Sequence, residues 1–446
     1  MPPARFSPPS RKESERFDRQ KGSKEMKSPH FLAQRILGPR LARLALVLCA
    51  LAVFACSLDR HAGAAAAPPD QPIPASYFSM NILFHPLNHV PWPSVPLGGW
   101  RLSHVNWADL EPERGVWKFD LLDKYVGWSQ QHHLEILMAL TYTPRWASST
   151  PDAPTDVEAN NPPGLSGAPR DIEDWKTFVR LVSTRYKGRI RNWEIWNEPN
   201  RPQSWTGTVD QMVDLAREAY TILKQADPGC TVVSPAPTGP YGLRFFDAYL
   251  AKGGGRFADV IGYHFYVARD APPEAMATLI GSVEKTLDKY GLAGKPLWNT
   301  EAGWLGPDMF PPQTQAAYLA RAYLLNWASG VTRFYWYAWE DHHGTRVELV
   351  GPDNATLTPA GKALATVESW LTGARLTHCA EEKTSEWTCD LSRDGRQAHV
   401  LWNTAGDTPI DVPSAWQAHQ ALQLDGSSKA IDGKSISVGI APELVQ

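Results

Sequence analysis

From residue 77 onward the apolar positions change period again and again. Short unbroken apolar runs alternate with stretches in which apolar residues recur three and four positions apart. The first pattern predicts a strand buried on both faces and the second an amphipathic helix. The strand runs are Phe78–Phe84, Trp100–Ser103, Glu135–Leu140, Asn192–Trp196, Thr231–Ser234, Val260–Phe265, Pro296–Asn299 and Thr332–Tyr337. Helical spacing is clearest over Ile172–Tyr186, Val209–Gln225 and Gln313–Trp327, with Asp171 and Thr208 placed as N-caps. Eight strands, each followed by a helix, predict an α/β chain folded as a (β/α)8 TIM barrel over residues 77–372. A doubly wound open sheet is the alternative, but no glycine-rich phosphate turn follows the first strand.

After Gly373 the period shortens. Glu386–Leu391, Gln397–Trp402 and Ser435–Ile440 alternate between Gly and Asp turns, predicting a small β-sandwich-like domain over 373–446. Within the barrel, the Pro-rich stretch Thr143–Arg170 is too long for a mere connector and is expected to border the site.

The amino-terminal part reads differently. Residues 1–43 are polar and basic, and Leu44–Cys56 is uninterrupted apolar sequence. Such a run spans roughly 20 Å as a helix against about 30 Å of hydrocarbon, the length of a signal-peptide core rather than of a membrane span. Ala62-Gly63-Ala64-Ala65-Ala66-Ala67 then offers a small-residue cleavage site, ahead of a Pro-rich linker over 67–76. Residues 1–66 are therefore an export segment. Three fates stay open: cleavage, lipidation at the box Val53-Phe54-Ala55-Cys56, or retention as an anchor. Each places the folded part outside the cytoplasm, periplasmic, membrane-anchored or secreted, with membrane contact through this segment alone.

Composition narrows the function. The 446 residues carry 44 Lys+Arg against 47 Asp+Glu, a net charge of −3, which offers no field for a nucleic-acid backbone. With 43% hydrophobic and 20% charged residues the chain is not disordered. Nineteen tryptophans are many, and composition divides them evenly between core packing and flat faces for stacking on a ligand. Cys379 and Cys389 bracket a polar stretch between strand-like flanks, the spacing of a hairpin-clamping disulfide in an oxidising compartment. Cys230 beside an apolar strand reads as a core thiol. No spacing calls for a metal or a cofactor.

Active sites of such barrels lie at the carboxyl ends of the strands. Two carboxylates stand there: Glu198, in Asn192-Trp193-Glu194-Ile195-Trp196-Asn197-Glu198-Pro199-Asn200, ends the fourth strand, and Glu301, in Trp298-Asn299-Thr300-Glu301-Ala302-Gly303, ends the seventh. Two carboxyl groups about 5–5.5 Å apart suit retaining glycoside hydrolysis, one protonating the leaving oxygen and the other attacking the anomeric carbon.

Trp-Asn-Glu-Pro-Asn at the fourth strand with Thr-Glu-x-Gly at the seventh resembles the clan A retaining glycoside hydrolases, closest to family 39 and its bacterial exopolysaccharide-cleaving relatives. Further matches are Arg101 to Trp107 leading into Leu110-Glu111-Pro112, Thr143-Pro144-Arg145-Trp146, His264-Phe265-Tyr266 and Trp336. The resemblance implies Glu198 as acid/base, Glu301 as nucleophile and Asn197 as the partner of the sugar 2-hydroxyl. It also implies His264 and Tyr266 as orienting groups, Trp336 as a platform under the sugar and Arg101 in the substrate site. For the acid role, Glu198 is expected to have a raised pKa. Trp146, Trp205 and Trp304 follow strands and are expected to line subsites. Glu194 is read as a paired structural carboxylate, and Glu340, Asp341, His342 and His343 as mouth residues of open role. The expected function is an exported retaining glycosidase acting on a polysaccharide or oligosaccharide. A non-catalytic carbohydrate-binding barrel and a transglycosylase with the same residues are the alternatives.

Overall fold

The computed structural model describes residues 68–83, 90–102, 105–155, 162–340 and 344–446. The export segment, with Cys49 and Cys56, lies outside the described residues, as do Phe84, Ser103, His104, Asp341, His342 and His343.

Eight short strands form the barrel: β1 (Phe78–Asn81), β2 (Gly99–Leu102), β3 (Glu135–Leu140), β4 (Asn192–Ile195), β5 (Thr231–Val233), β6 (Ile261–Tyr263), β7 (Leu297–Ala302) and β8 (Val331–Trp336). They pair in the order β5-β4-β3-β2-β1-β8-β7-β6, and the two ends meet at a parallel bridge between Val233 and Val260. Every neighbouring pair in this sheet is parallel. Parallel strands are covered by helices outside and by side chains inside, which is why β3 is apolar and buried at five of its six positions. Leu137, Val233, Val260, Trp298 and Tyr335 fill the interior as a cluster of their own.

The helices are α1 (Trp107–Leu110), α2 (Asp120–Gln131), α3 (Ile172–Arg185), α4 (Val209–Ala226), α5 (Gly242–Ala251), α6 (Glu274–Lys289), α7 (Pro312–Ala328) and α8 (Pro359–Leu371). Both expected caps form. The Asp171 carboxylate accepts from the Glu173 amide, and Thr208 and Gln211 make a reciprocal capping box at the start of α4. The ends of β3 match the sequence reading; β7 runs three residues further than expected, and the other strands differ at an end by one to three residues, mostly where apolar periodicity continues into the βα loop.

Beyond α8 comes an antiparallel sheet built from β9 (Arg375–Lys383), β10 (Glu386–Arg393), β11 (Arg396–Asn403), β13 (Gln420–Leu422), β14 (Ser428–Ala430) and β16 (Glu443–Val445). A two-stranded ribbon of β12 (Thr408–Asp411) and β15 (Ser435–Val438) completes it. Cys379 and Cys389 sit opposite each other in the β9–β10 hairpin and are joined as a disulfide. Among the described residues no helix is long and apolar enough to cross a membrane.

Helix α7 is buried nearly all round, including Arg321 and Asn326, because barrel strands pack on one side of it and α8 with the edge of the second sheet on the other. Its Arg321 forms a bidentate pair with Glu274 of α6, whose Oε1 also accepts from the Trp402 indole of β11 at 3.1 Å. This shared carboxylate couples the sheet to the barrel. Arg321→Ala is expected to lower stability by about 3 kcal/mol by stranding Glu274. The check is a urea unfolding curve, in which Arg321→Ala and Trp402→Phe should be non-additive; simple additivity would show that the carboxylate is not shared.

Candidate active site

Strand β4 ends in an unusual turn. Trp196 and Glu198 both have positive φ, 78° and 46°, a region that costs a side-chain-bearing residue energy. Two anchors hold it. The Trp196 amide donates to Leu140 O and the Glu198 amide to Ala236 O, each at 3.0 Å, while the buried Trp196 indole donates to Ser204 O and packs edge-on against Trp205. With Trp196 turned out into the core, Glu198 points over the barrel mouth, and its side chain is 7% exposed.

Glu301 ends β7 beside an irregularity in its pairing with β8. One oxygen of Glu301, one of Glu198 and a ring nitrogen of His264 all lie within 4.8 Å of one another. The spacing of the carboxylates falls with the close pair of retaining chemistry and well short of the 6.5–9.5 Å or so that an inverting enzyme needs for a water.

Each carboxylate has its own partners. Glu301 Oε2 accepts from Arg101 Nη1 at 2.7 Å and its Oε1 from the Tyr266 hydroxyl at 2.9 Å. Glu198 Oε1 faces His264 Nδ1 at 3.1 Å and its Oε2 accepts from Arg201 Nη1 at 2.8 Å. Arg101 is wholly buried, and it also donates through Nε and Nη2 to Glu194 Oε2 at 2.8 and 2.6 Å and through Nη2 to Asn197 Oδ1 at 2.8 Å. Asn197 in turn lies 3.4 Å from the Tyr142 hydroxyl. Glu194 is thus the counter-ion of Arg101, deep in the barrel.

The charges follow. Burial works against the Arg101 cation, but Glu194 and then Glu301 raise its pKa further above its already high value. Burial, and then the charge of Glu301, push the Tyr266 phenol well up, so it remains a hydrogen-bond donor. Burial pushes Glu198 up, but the hydrogen bond and charge of His264, and then Arg201, outweigh it and hold Glu198 at about 2. The raised value expected for an acid is therefore not found in the free site. The sequence reading counted the neighbouring carboxylate but not the hydrogen bond from Arg201.

The aromatic platforms also need correction. Trp336 is fully buried on the helix side of β8, packed against Tyr323, Phe334 and Trp304; Tyr335, one residue earlier, takes the interior position. Strand parity decides this, since neighbouring residues face opposite sides. Trp304 is buried with its indole donating to Ala271 O, and Trp205 is buried against Trp196. Trp146 is partly buried; its indole donates to Glu111 O and the Arg114 guanidinium lies 4.6 Å over its ring. Glu340 is buried as well.

Four residues at or around the site escaped the sequence reading. Asn81, at the end of β1, has Oδ1 3.5 Å from Arg101 Nη1. Tyr142 lies two residues after β3 and feels the charges of Glu198 and Glu301. Arg201 lies three residues after Glu198. Tyr241, 92% exposed, follows β5 on the same end of the barrel. Inspection of the first two residues after every strand, without favouring tryptophan, would have found Tyr142.

Glu198, His264 and Glu301 are the one set among the described residues with metal-ligand spacing. It suits a metal poorly. A separation up to 4.8 Å is wide for ligands each about 2 Å from one ion, and two guanidinium groups already occupy the carboxylates.

No protein-family model matches the chain. Its fold is similar to that of several solved glycoside hydrolases. A family 39 glycoside hydrolase from Bacteroides cellulosilyticus WH2 superposes with a TM-score of 0.63 at 20% identity, over 78% of this chain and 75% of that one. A family 39 β-xylosidase from Caulobacter crescentus gives 0.60 at 15% identity, over 86% and 97%. The family 39 enzyme from Xanthomonas axonopodis pv. citri gives 0.58 at 15% identity, over 87% and 99%. At these identities the likeness is one of fold.

Because Glu198 is held near 2 against an ordinary 4.5, its ionised form favours the folded state above pH 4.5, and this contribution fades as the pH falls toward 2. Glu198→Gln should therefore be less stable than the parent near neutrality, by roughly 3 kcal/mol. The gap should close on acidification. Denaturant unfolding across that range checks it; a gap independent of pH would contradict the assigned pairing.

Proposed function

We propose that the chain is a retaining glycoside hydrolase. The observation that carries this is the facing pair Glu198 and Glu301, on the ends of β4 and β7, with oxygens within 4.8 Å and a different set of donors on each. In the first step a Glu301 oxygen attacks the anomeric carbon, the bond to the leaving oxygen breaks, and the Glu198 proton passes to that oxygen. In the second, Glu198 takes a proton from water, the water oxygen bonds the anomeric carbon, and Glu301 leaves with its carboxylate restored.

The surroundings fit these roles. Arg101 and Tyr266 fix both Glu301 oxygens, and Arg101 matches the charge that returns when the intermediate breaks down. Asn197, oriented by Arg101 Nη2, presents its amide NH2 beside Tyr142, where a sugar 2-hydroxyl would meet it. His264 Nδ1 lies 3.1 Å from Glu198 Oε1 and orients that carboxyl group.

The substrate is a polysaccharide or oligosaccharide, as the open strand-end site of this fold suggests. Export is supported by the Leu44–Cys56 run with its small-residue boundary and by the Cys379–Cys389 disulfide. The enzyme would then meet glycan outside the cytoplasm, an exopolysaccharide among the candidates.

A glycan panel read by release of reducing ends tests the activity; binding without release would favour a carbohydrate-binding barrel. Glu301→Ala should lose at least about 10³-fold in kcat, and azide should restore turnover as a glycosyl azide of inverted configuration. Glu198→Ala should keep activity on substrates with very good leaving groups while losing it on poor ones. Early product anomers by NMR should retain the substrate configuration, and inversion would refute the double displacement.

A further inference from the structure

Tyr142, like Trp196 and Glu198, takes left-handed backbone at the barrel mouth, with φ 60°. The strain at Trp196 and Glu198 is explained by the turn that presents the carboxylate. At Tyr142 it still needs a reason, because a bulky side chain is disfavoured in that region. Its neighbours hold it there. Thr141 O accepts from the Trp107 amide, and the Thr143 amide donates to Leu165 O, each at 3.0 Å. The ring is buried and packs edge-on to Trp196, with 6.3 Å between centroids. Phenylalanine would pack in the same way. What tyrosine adds is the hydroxyl.

That hydroxyl lies 3.4 Å from Asn197 Nδ2 and hydrogen-bonds the Ser204 side chain as well. Arg101 fixes the roles at Asn197. A guanidinium can only donate, so the atom 2.8 Å from Arg101 Nη2 is the carbonyl Oδ1, and the NH2 group faces Tyr142. The phenol oxygen is therefore the acceptor. Burial pushes the phenol pKa up, and the hydrogen bonds of Asn197 and Ser204 oppose this only in part, so Tyr142 stays neutral.

Arg101 by itself would leave the carboxamide able to pivot about its Oδ1 contact. A second contact on Nδ2 stops that pivot. A carboxamide NH2 has two hydrogens in the amide plane, so with one held by Tyr142 the other has a single direction left. Asn197 is partly exposed, whereas Trp196 and Glu198 on either side of it are buried. Its remaining N–H is thus the one that a bound sugar can reach.

Resting on the glycosidase reading, we propose that Tyr142 is a positioning residue for Asn197: its hydroxyl oxygen holds one carboxamide N–H and thereby aims the other at the 2-hydroxyl of the sugar being cleaved. The contact is long in the free site, as such contacts often are before substrate tightens them. Its effect is concentrated in the transition state, where the bond to the 2-hydroxyl strengthens. A sugar without a 2-hydroxyl gives the aimed N–H nothing to meet, which separates aim from support of the fold.

The test compares 4-nitrophenyl glycosides with their 2-deoxy counterparts, in the sugar that the glycan panel shows to be released. Tyr142→Phe should lower kcat on the 2-hydroxy glycoside by about 10-fold, with little change in KM, and leave the 2-deoxy glycoside within about twofold of the parent. Asn197→Ala should lose more on the 2-hydroxy glycoside, and adding Tyr142→Phe to it should cost nothing further. Ser204→Ala removes the other partner of the phenol; it should give a smaller loss, again confined to the 2-hydroxy glycoside, and it serves if Tyr142→Phe fails to fold. Equal losses on the two glycosides, or additive losses in the double variant, would overturn the positioning role while leaving the glycosidase reading intact. Turnover of no glycan or glycoside by the parent refutes the reading on which the role rests.

Discussion

The site depends on one buried guanidinium. Arg101 has no solvent contact, yet it bonds Glu194, Asn197 and Glu301 at once. Removing such a cation from water is expensive and is offset only when carboxylates and further acceptors surround it in good geometry. The barrel supplies that geometry: β2 carries the arginine, β4 its counter-ion and the asparagine, and β7 the second carboxylate. Two carboxylates within 4.8 Å would otherwise repel in a site with little water. Arg101 makes their proximity tolerable and, with Tyr266, fixes the orientation of the Glu301 carboxylate.

A second arginine makes the pair unequal. Arg101 holds Glu301 from inside the barrel, and Arg201 holds Glu198 from its rim. The inner contact is locked by burial on every side, while the outer one borders solvent. In the proposed reaction Glu301, held from inside the barrel, acts as nucleophile, and Glu198, held from the rim, acts as acid and base. Loss of Arg101 would remove the frame that holds Glu301.

The tryptophans turn out to serve packing. Thirteen of the 19 are buried and none is exposed, so the excess builds the layer between strands and helices rather than a stacking floor. Short parallel strands leave wide gaps beneath the surrounding helices, and large flat rings fill them; Trp107 stacked on Phe178 and Trp336 on Tyr323 are examples. Trp196 shows how this packing reaches the chemistry, since its buried ring is what turns Glu198 toward the mouth.

Much was legible in the sequence because it depends on period and position along the chain. Alternation of apolar runs with helical spacing specified eight strands and their helices, Asp171 and Thr208 marked helix starts, and strand-end position singled out Glu198 and Glu301. Glu194 could be recognised as inward-facing because it shares parity with Glu198. What sequence could not supply was the partner of each side chain across the barrel. That Arg101 joins Glu194 to Glu301 requires closure of the sheet, which brings residues 200 positions apart to 2.7 Å. The facing of Trp336 turns on a one-residue register that periodicity leaves open. The low proton affinity of Glu198 likewise depends on His264 and Arg201, which meet it only once the loops after β4 and β6 are folded together. Sequence by itself determined the elements and the chemical groups at their ends; tertiary structure decided their pairing, because charge interactions depend on distance in space and a sequence records only distance along the chain.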